Sequence, residues 1–168
     1  MCFFLLEFMM WIQNVALRDI PDGQYRGDGR DTILIQIVDP ASTFPVPKHK
    51  FDAYHQFEFL DLEDRDECIE EGFKITDDQA EMLVVILQEA LELKKNVVVH
   101  CHAGICRSGA VAEVGIMMGF EDTRAFRAPN LRVKHKMMQQ LGWTYDADEK
   151  PQDNWMAYYD YLESQGDM

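Results

Sequence analysis

At positions 97–109 the chain reads VVVHCHAGICRSG. Residues 97–100 form a short run, made mostly of β-branched valines, of the kind that occurs in buried strands. The segment Arg107–Met118 is rich in small and apolar residues and stops at Gly119, which suits the position that follows a helix. This part of the sequence therefore predicts a strand, a tight loop and a helix in direct succession.

Three more short runs that are rich in apolar, β-branched or aromatic residues predict strands at residues 3–8, 32–38 and 55–60. Because predicted strands alternate with helical segments, we expect an α/β layered domain around a largely parallel sheet of about four or five strands. The irregular segments 21–30 and 40–50 are typical of surface loops. In a sheet of this kind, ligands bind at the carboxyl ends of the strands.

The sequence also indicates where helices begin. Thr76 and Gln79 have the spacing of a capping box, which predicts a helix from the next residue onward. Asn130 is predicted to cap a third helix, which ends at Gly142. A fourth, amphipathic helix is predicted at residues 155–162.

Length and composition limit the class of protein. The chain has 168 residues, of which 47% are hydrophobic, so it has enough apolar material to build one core. We expect a single domain over residues 1–168, with a recognisable core at about 32–142 and an acidic C-terminal segment at 143–168.

The charge distribution limits the partners. The sequence carries 16 basic and 30 acidic residues, a formal net charge of −14. Such a field repels polyanions, so neither nucleic acid nor an anionic membrane is an expected partner. One basic stretch, at residues 124–136, is either a solvated helix face or the rim of an anion pocket.

The cysteines indicate a reducing compartment. Cys2, Cys68, Cys101 and Cys106 occur in a chain without the pattern of a secretion signal, which favours a cytoplasmic protein with free thiols. Residues 1–12 are strongly apolar, but no basic residue precedes them and they are too few to span a bilayer. A buried first strand is the better interpretation.

The loop after the predicted strand carries reactive residues. In a strand–loop–helix arrangement the backbone N–H groups of the loop turn inward and form, with the helix N-terminus, a nest for a tetrahedral dianion. Cys101 stands at the base of this nest, where the same donors stabilise its thiolate as a nucleophile. Arg107 can fold back and bind two phosphate oxygens through its planar guanidinium. Gly104 permits the turn, and Ser108 can donate a hydrogen bond to the thiolate.

This stretch resembles the HC-x5-R-[ST] signature of the cysteine-based protein tyrosine phosphatases, in particular their compact dual-specificity-like branch. The resemblance extends to FLDL at 59–62 and to APN at 128–130. It implies a tyrosine-phosphatase-like fold and hydrolysis of phosphotyrosine in proteins, with phosphoserine and phosphothreonine as further candidates. It also implies a phosphocysteine intermediate and no cofactor or metal ion. The implied phosphate-binding loop is His102, Ala103, Gly104, Ile105, Cys106 and Arg107, with His100 and Asn130 in support.

The same resemblance implies an aspartate that protonates the leaving oxygen and then activates water, a role that supplies about 10²–10⁴ in rate. Two residues match the family's hydrophobic-x-Asp context. We prefer Asp61, because it follows the predicted strand directly. Asp64 is the alternative, although it begins a charged run that is typical of a solvated loop.

Several alternatives share the loop. RNA 5′-triphosphatases and inositol-phosphate phosphatases use the same signature, and a phosphate-binding or metal-binding module is the non-enzymatic alternative. Four residues could ligate a metal, but they lack the paired spacing of zinc sites; they are His100, Cys101, His102 and Cys106. Cys106 replaces the serine of the dual-specificity-like relatives, and is either a small buried side chain or a redox partner of Cys101.

Overall fold

The computed structural model describes residues 9–67, 71–151, 163–164 and 166. It contains the strands β1 (Trp11–Ala16), β2 (Thr32–Val38), β3 (Ala53–Glu58), β4 (Asn96–Cys101) and β5 (Glu121–Asp122). Its α-helices are α1 (Asp19–Asp22), α2 (Asp77–Glu92), α3 (Arg107–Met118) and α4 (Leu131–Gln140), and a 3₁₀ turn spans Glu71–Phe73. The strand predicted at 3–8 and the helix predicted at 155–162 lie outside the described residues, as do Cys2 and Cys68.

The strands form one parallel sheet in the order β3-β2-β4-β1-β5. This confirms the predicted α/β class with a five-stranded sheet flanked by helices. β4 occupies the centre, with β2 on one side and β1 on the other. The residues that follow β4 are therefore surrounded by the carboxyl ends of its two neighbours.

The alternation of side chains along the strands builds two apolar layers. On one face, Val97 and Val99 of β4 belong to the main core, which includes Leu83 of α2 and Val111 of α3. On the other face, Val98 belongs to a smaller cluster beneath α1 and the following loops; its members are Trp11, Val15, Ile20, Tyr25, Leu34 and Phe51. The sheet is thus covered on both sides, as parallel sheets are.

The predicted helix starts are confirmed. Thr76 accepts a hydrogen bond from the Gln79 backbone N–H at 3.1 Å, and the Gln79 side chain accepts one from the Thr76 N–H at 2.9 Å. Asn130 caps α4 by accepting from the Val133 N–H at 3.0 Å. In the described part of the chain, no helix has the length and apolar character needed to cross a membrane.

The strands differ from the predictions in four places, one of which is the short strand β5, which was not predicted. β1 was not predicted, because Gln13 and Asn14 interrupt its apolar pattern. β3 spans 53–58 rather than 55–60, since the chain leaves the sheet where the Leu60 N–H bonds to the Phe73 carbonyl at 2.8 Å. β4 is longer than predicted and includes Cys101, which is in register with Ala16 of β1.

Candidate active site

Contacts with β1 fix the position of the loop between β4 and α3. Gly104 has a φ of +76° and lies so close to β1 that an added Cβ would come within 2.3 Å of the Val15 carbonyl carbon. The buried side chain of Asn14 donates to the Gly104 carbonyl at 2.7 Å and to the Phe126 carbonyl at 2.9 Å. Only glycine satisfies both the left-handed backbone and this close approach.

The carbonyl groups of the loop face the surrounding protein. His102 accepts from the Leu17 N–H at 3.1 Å, Ile105 from the Ala128 N–H at 3.2 Å, and Cys106 from the Asn130 N–H at 2.9 Å. Together with the contact of Gly104, these bonds turn the carbonyl oxygens outward. An inward orientation of the loop N–H groups, as expected from the sequence, is consistent with this arrangement.

The packing of Gly104 leads to a prediction. Gly104→Ala should lower the free energy of unfolding by about 3 kcal/mol, because it adds both a steric overlap with β1 and left-handed backbone strain. Gly142→Ala is the matched control, since Gly142 has a φ of +71° but nothing within 4 Å of an added Cβ. Urea unfolding of both variants measures the difference, and an equal loss of stability would contradict the proposed overlap with β1.

Cys101 lies at the base of a cleft of about 350 Å³. Its side chain is only 2% exposed, and its Sγ lies 3.1 Å from the Ser108 hydroxyl oxygen. The described residues that line the cleft are Asp39, Leu60, Asp61, Leu62, Cys101, His102, Ala103, Cys106 and Arg107. Gly104 and Ile105 of the predicted loop are buried behind this surface.

The Arg107 guanidinium is buried beside the cleft. The residue is 4% exposed, and its Nη1 donates to Asp39 Oδ1 at 2.7 Å and to the Phe59 carbonyl at 2.8 Å. Its Nε is buried and has no hydrogen-bond partner among the described residues. A buried donor without an acceptor is costly, so an anionic ligand that reached Nε from the cleft would be stabilised by it.

The two candidate acids occupy different places. Asp61 lines the cleft, where its Oδ1 accepts a 2.8 Å hydrogen bond from Asn130 Nδ2. Asp64 instead accepts a 2.5 Å hydrogen bond from Arg132, and its side chain is largely exposed. Asn130, predicted as a supporting residue, thus joins the cap of α4 to the preferred acid.

Glu63 links the segment that contains Asp61 to the start of α4. Its carboxylate accepts hydrogen bonds from the backbone N–H groups of Leu131 and Arg132, at 3.0 and 3.1 Å. Burial raises the pKa of Glu63, although these two bonds and the positive end of the helix oppose the rise. Glu63 was not among the site residues predicted from the sequence.

His100 is fully buried below the loop. Its Nδ1 lies 3.4 Å from the Cys101 carbonyl, and burial lowers its pKa to about 4. The imidazole is therefore neutral at pH 7, so His100 adds no positive charge to the site.

Cys106 faces the acid. Burial, the charge of Asp61 and a side-chain hydrogen bond with Asp61 together raise its pKa to about 12, with burial the largest cause. Cys106 is thus a neutral thiol at pH 7. Its partly buried position is compatible with either predicted role, as a packed side chain or as a redox partner.

The basic stretch at 124–136 is occupied by ion pairs. Arg127 binds Asp122, Arg132 binds Asp64 and Glu71, Lys134 binds Glu113 and Glu149, and Lys136 binds Asp77. Its side chains are absent from the described lining of the cleft. Of the two interpretations left open by the sequence, the rim of an anion pocket does not match this arrangement.

Asp39 and Asn14 line or support the site but were not predicted from the sequence. Asp39 follows β2 directly, so the rule that ligands bind at the carboxyl ends of parallel strands was the available signal. Asn14 offered a weaker signal, a polar residue within an apolar run. Among the described residues, no group of three or more His, Cys, Asp or Glu side chains is arranged to hold a metal ion.

The fold and the site define an α/β protein in which a cysteine at the end of the central strand and an arginine at the start of the next helix line one cleft. Neither a scan against models of protein families nor a search of curated protein sequences finds a match to the chain.

Proposed function

We propose that the chain is a phosphatase that hydrolyses phosphotyrosine in proteins through a phosphocysteine on Cys101. The observation that carries this proposal is the convergence of Cys101, Arg107 and Asp61 on one cleft at the carboxyl end of the central strand. A nucleophile, an anion-binding guanidinium and a proton donor are the three groups that this hydrolysis requires.

The reaction has two steps, formation and hydrolysis of the phosphocysteine. In the first, the Cys101 thiolate attacks phosphorus and the bond to the ester oxygen breaks, while protonated Asp61 gives its proton to the leaving oxygen. In the second, the Asp61 carboxylate takes a proton from water, which attacks phosphorus and breaks the S–P bond. Phosphate leaves, and the thiolate and the protonated acid are restored.

The residues that line the cleft favour an aromatic phosphate ester as the substrate. Leu60 and Leu62 line the opening and present apolar surface to a phenyl ring. The net charge of −14 disfavours substrates with several phosphates. Phosphotyrosine is therefore favoured over an RNA 5′-triphosphate or an inositol phosphate. A reducing compartment such as the cytoplasm would keep the Cys101 thiol active.

A substrate panel tests the proposal. One peptide carrying phosphotyrosine, phosphoserine or phosphothreonine is compared with an RNA 5′-triphosphate and an inositol phosphate, each with and without EDTA. We expect the highest kcat/KM for the phosphotyrosine peptide and no effect of EDTA. Faster turnover of the RNA or the inositol would favour those alternatives, and oxyanion binding without any turnover would indicate a phosphate-binding module.

A further inference from the structure

Asp39 stands beside the predicted phosphate loop without belonging to it. It follows the last residue of β2, and β2 pairs with β4 up to the register Gln36 with His100. The side chain therefore emerges from the neighbouring strand at the same edge of the sheet as Cys101. It is 49% exposed and lines the cleft.

The contact between Asp39 and Arg107 is specific to one nitrogen. Nη1 is held by two acceptors, the Asp39 carboxylate at 2.7 Å and the Phe59 carbonyl at 2.8 Å. A guanidinium is planar, so fixing one nitrogen from two directions restricts the orientation of the whole group. The Nε–H, in contrast, is buried without an acceptor in the described structure.

The difference between Nη1, which is bonded, and Nε, which is not, indicates a role for the Asp39 carboxylate. A ligand that used Nη1 would have to displace Asp39, whereas a ligand that accepts from Nε leaves the Asp39 bond intact. We infer that Asp39 is a positioning residue that holds Arg107 for binding of a tetrahedral oxyanion. The inference rests on the proposed function, since the oxyanion is the phosphoryl group of the substrate.

Two effects of the carboxylate oppose each other. Its charge partly neutralises the guanidinium and so weakens attraction to an anion. Its hydrogen bond prevents the long side chain from adopting other rotamers, which reduces the entropy lost when an anion binds. The second effect dominates in this site, because Arg107 is almost fully buried whereas Asp39 is half exposed, and solvent screens the exposed charge.

Oxyanion binding and catalysis test the inference together. We expect Asp39→Ala to weaken binding of tungstate, a tetrahedral oxyanion, by about 10-fold in calorimetry, as the loss of a charge-assisted hydrogen bond predicts. The kcat/KM for a phosphotyrosine peptide should fall by a similar factor. Asp39→Asn retains an acceptor for Nη1 and should stay within about threefold of the wild type in both measurements. Asp122→Ala is the matched control, because it removes an Asp–Arg pair from Arg127, outside the cleft.

A double-mutant cycle shows whether Asp39 acts through Arg107. In an Arg107→Lys background, Asp39→Ala should change tungstate affinity by less than about twofold. Unchanged or tighter binding by Asp39→Ala overturns the inference, and so does a full effect in the lysine background or a wild type that binds no tungstate. Because tungstate binding needs no turnover, a wild type that binds it but hydrolyses no phosphoester rejects the proposed function and leaves the role of Asp39 to be decided by the binding data.

Discussion

Cys101→Ser is expected to lose turnover by roughly 10⁵-fold or more, because a serine hydroxyl is not ionised at neutral pH and the neighbouring Ser108 is itself a hydroxyl that cannot act as a base. Tungstate affinity should remain within about threefold of the wild type, since Arg107 and the loop backbone are unchanged. Steady-state hydrolysis of a phosphotyrosine peptide and calorimetry with tungstate measure the two quantities separately.

The same substitution at Cys106 provides the comparison. Cys106→Ser exchanges the same atom in the same loop and keeps a donor for Asp61, so we expect it to lose far less activity than Cys101→Ser. Arg107→Ala should damage both tungstate binding and turnover. Vanadate-sensitive turnover by Cys101→Ser at near the wild-type rate would falsify the covalent mechanism.

The second large effect on turnover is expected at Asp61, the proposed proton donor. Asp61→Ala should slow hydrolysis of a phosphotyrosine peptide by about 10²–10⁴-fold, because the tyrosine oxygen leaves poorly without a proton. An aryl phosphate with a strongly acidic phenol needs no such proton and should be affected much less. The ratio of the two kcat/KM values isolates proton donation from general damage, since misfolding lowers both alike.

Asp64→Ala is the control for this experiment. Asp64 belongs to the same segment, but its carboxylate is paired with Arg132 and does not line the described cleft. We expect a small effect that is equal for the two substrates. A selective loss in Asp64→Ala, with none in Asp61→Ala, would move the assignment of the acid to residue 64.

Local signals in the sequence located much of the fold. β2 was predicted with the observed bounds because six of its seven residues are β-branched or aliphatic, and in the structure all seven are buried. The helix starts at Thr76 and Asn130 were found because capping depends on residues only three positions apart. Elements with such local causes need no knowledge of the tertiary structure.

The missed features depend on distant partners. Asn14 weakens the apolar pattern of β1, and its reason for being there is a carbonyl 90 positions away in sequence. Asp39, followed by Pro40, reads as an ordinary turn until the sheet order places β2 beside β4. The sequence pattern could place Asp39 at the ligand-binding edge of the sheet. It contains neither the order of the strands nor the path of the Arg107 side chain, so the two contacts themselves could not be predicted.

The position of β1 has a consequence for folding. β1 pairs with β4 and β5, and about 80 residues separate the end of β1 from the start of β4. At a synthesis rate of about 5–20 residues per second, β1 would wait for β4 for about 4 to 16 s after it is made. Because Gly104 rests on β1, the nascent chain would complete the loop between β4 and α3 only after this long-range pairing, late in folding.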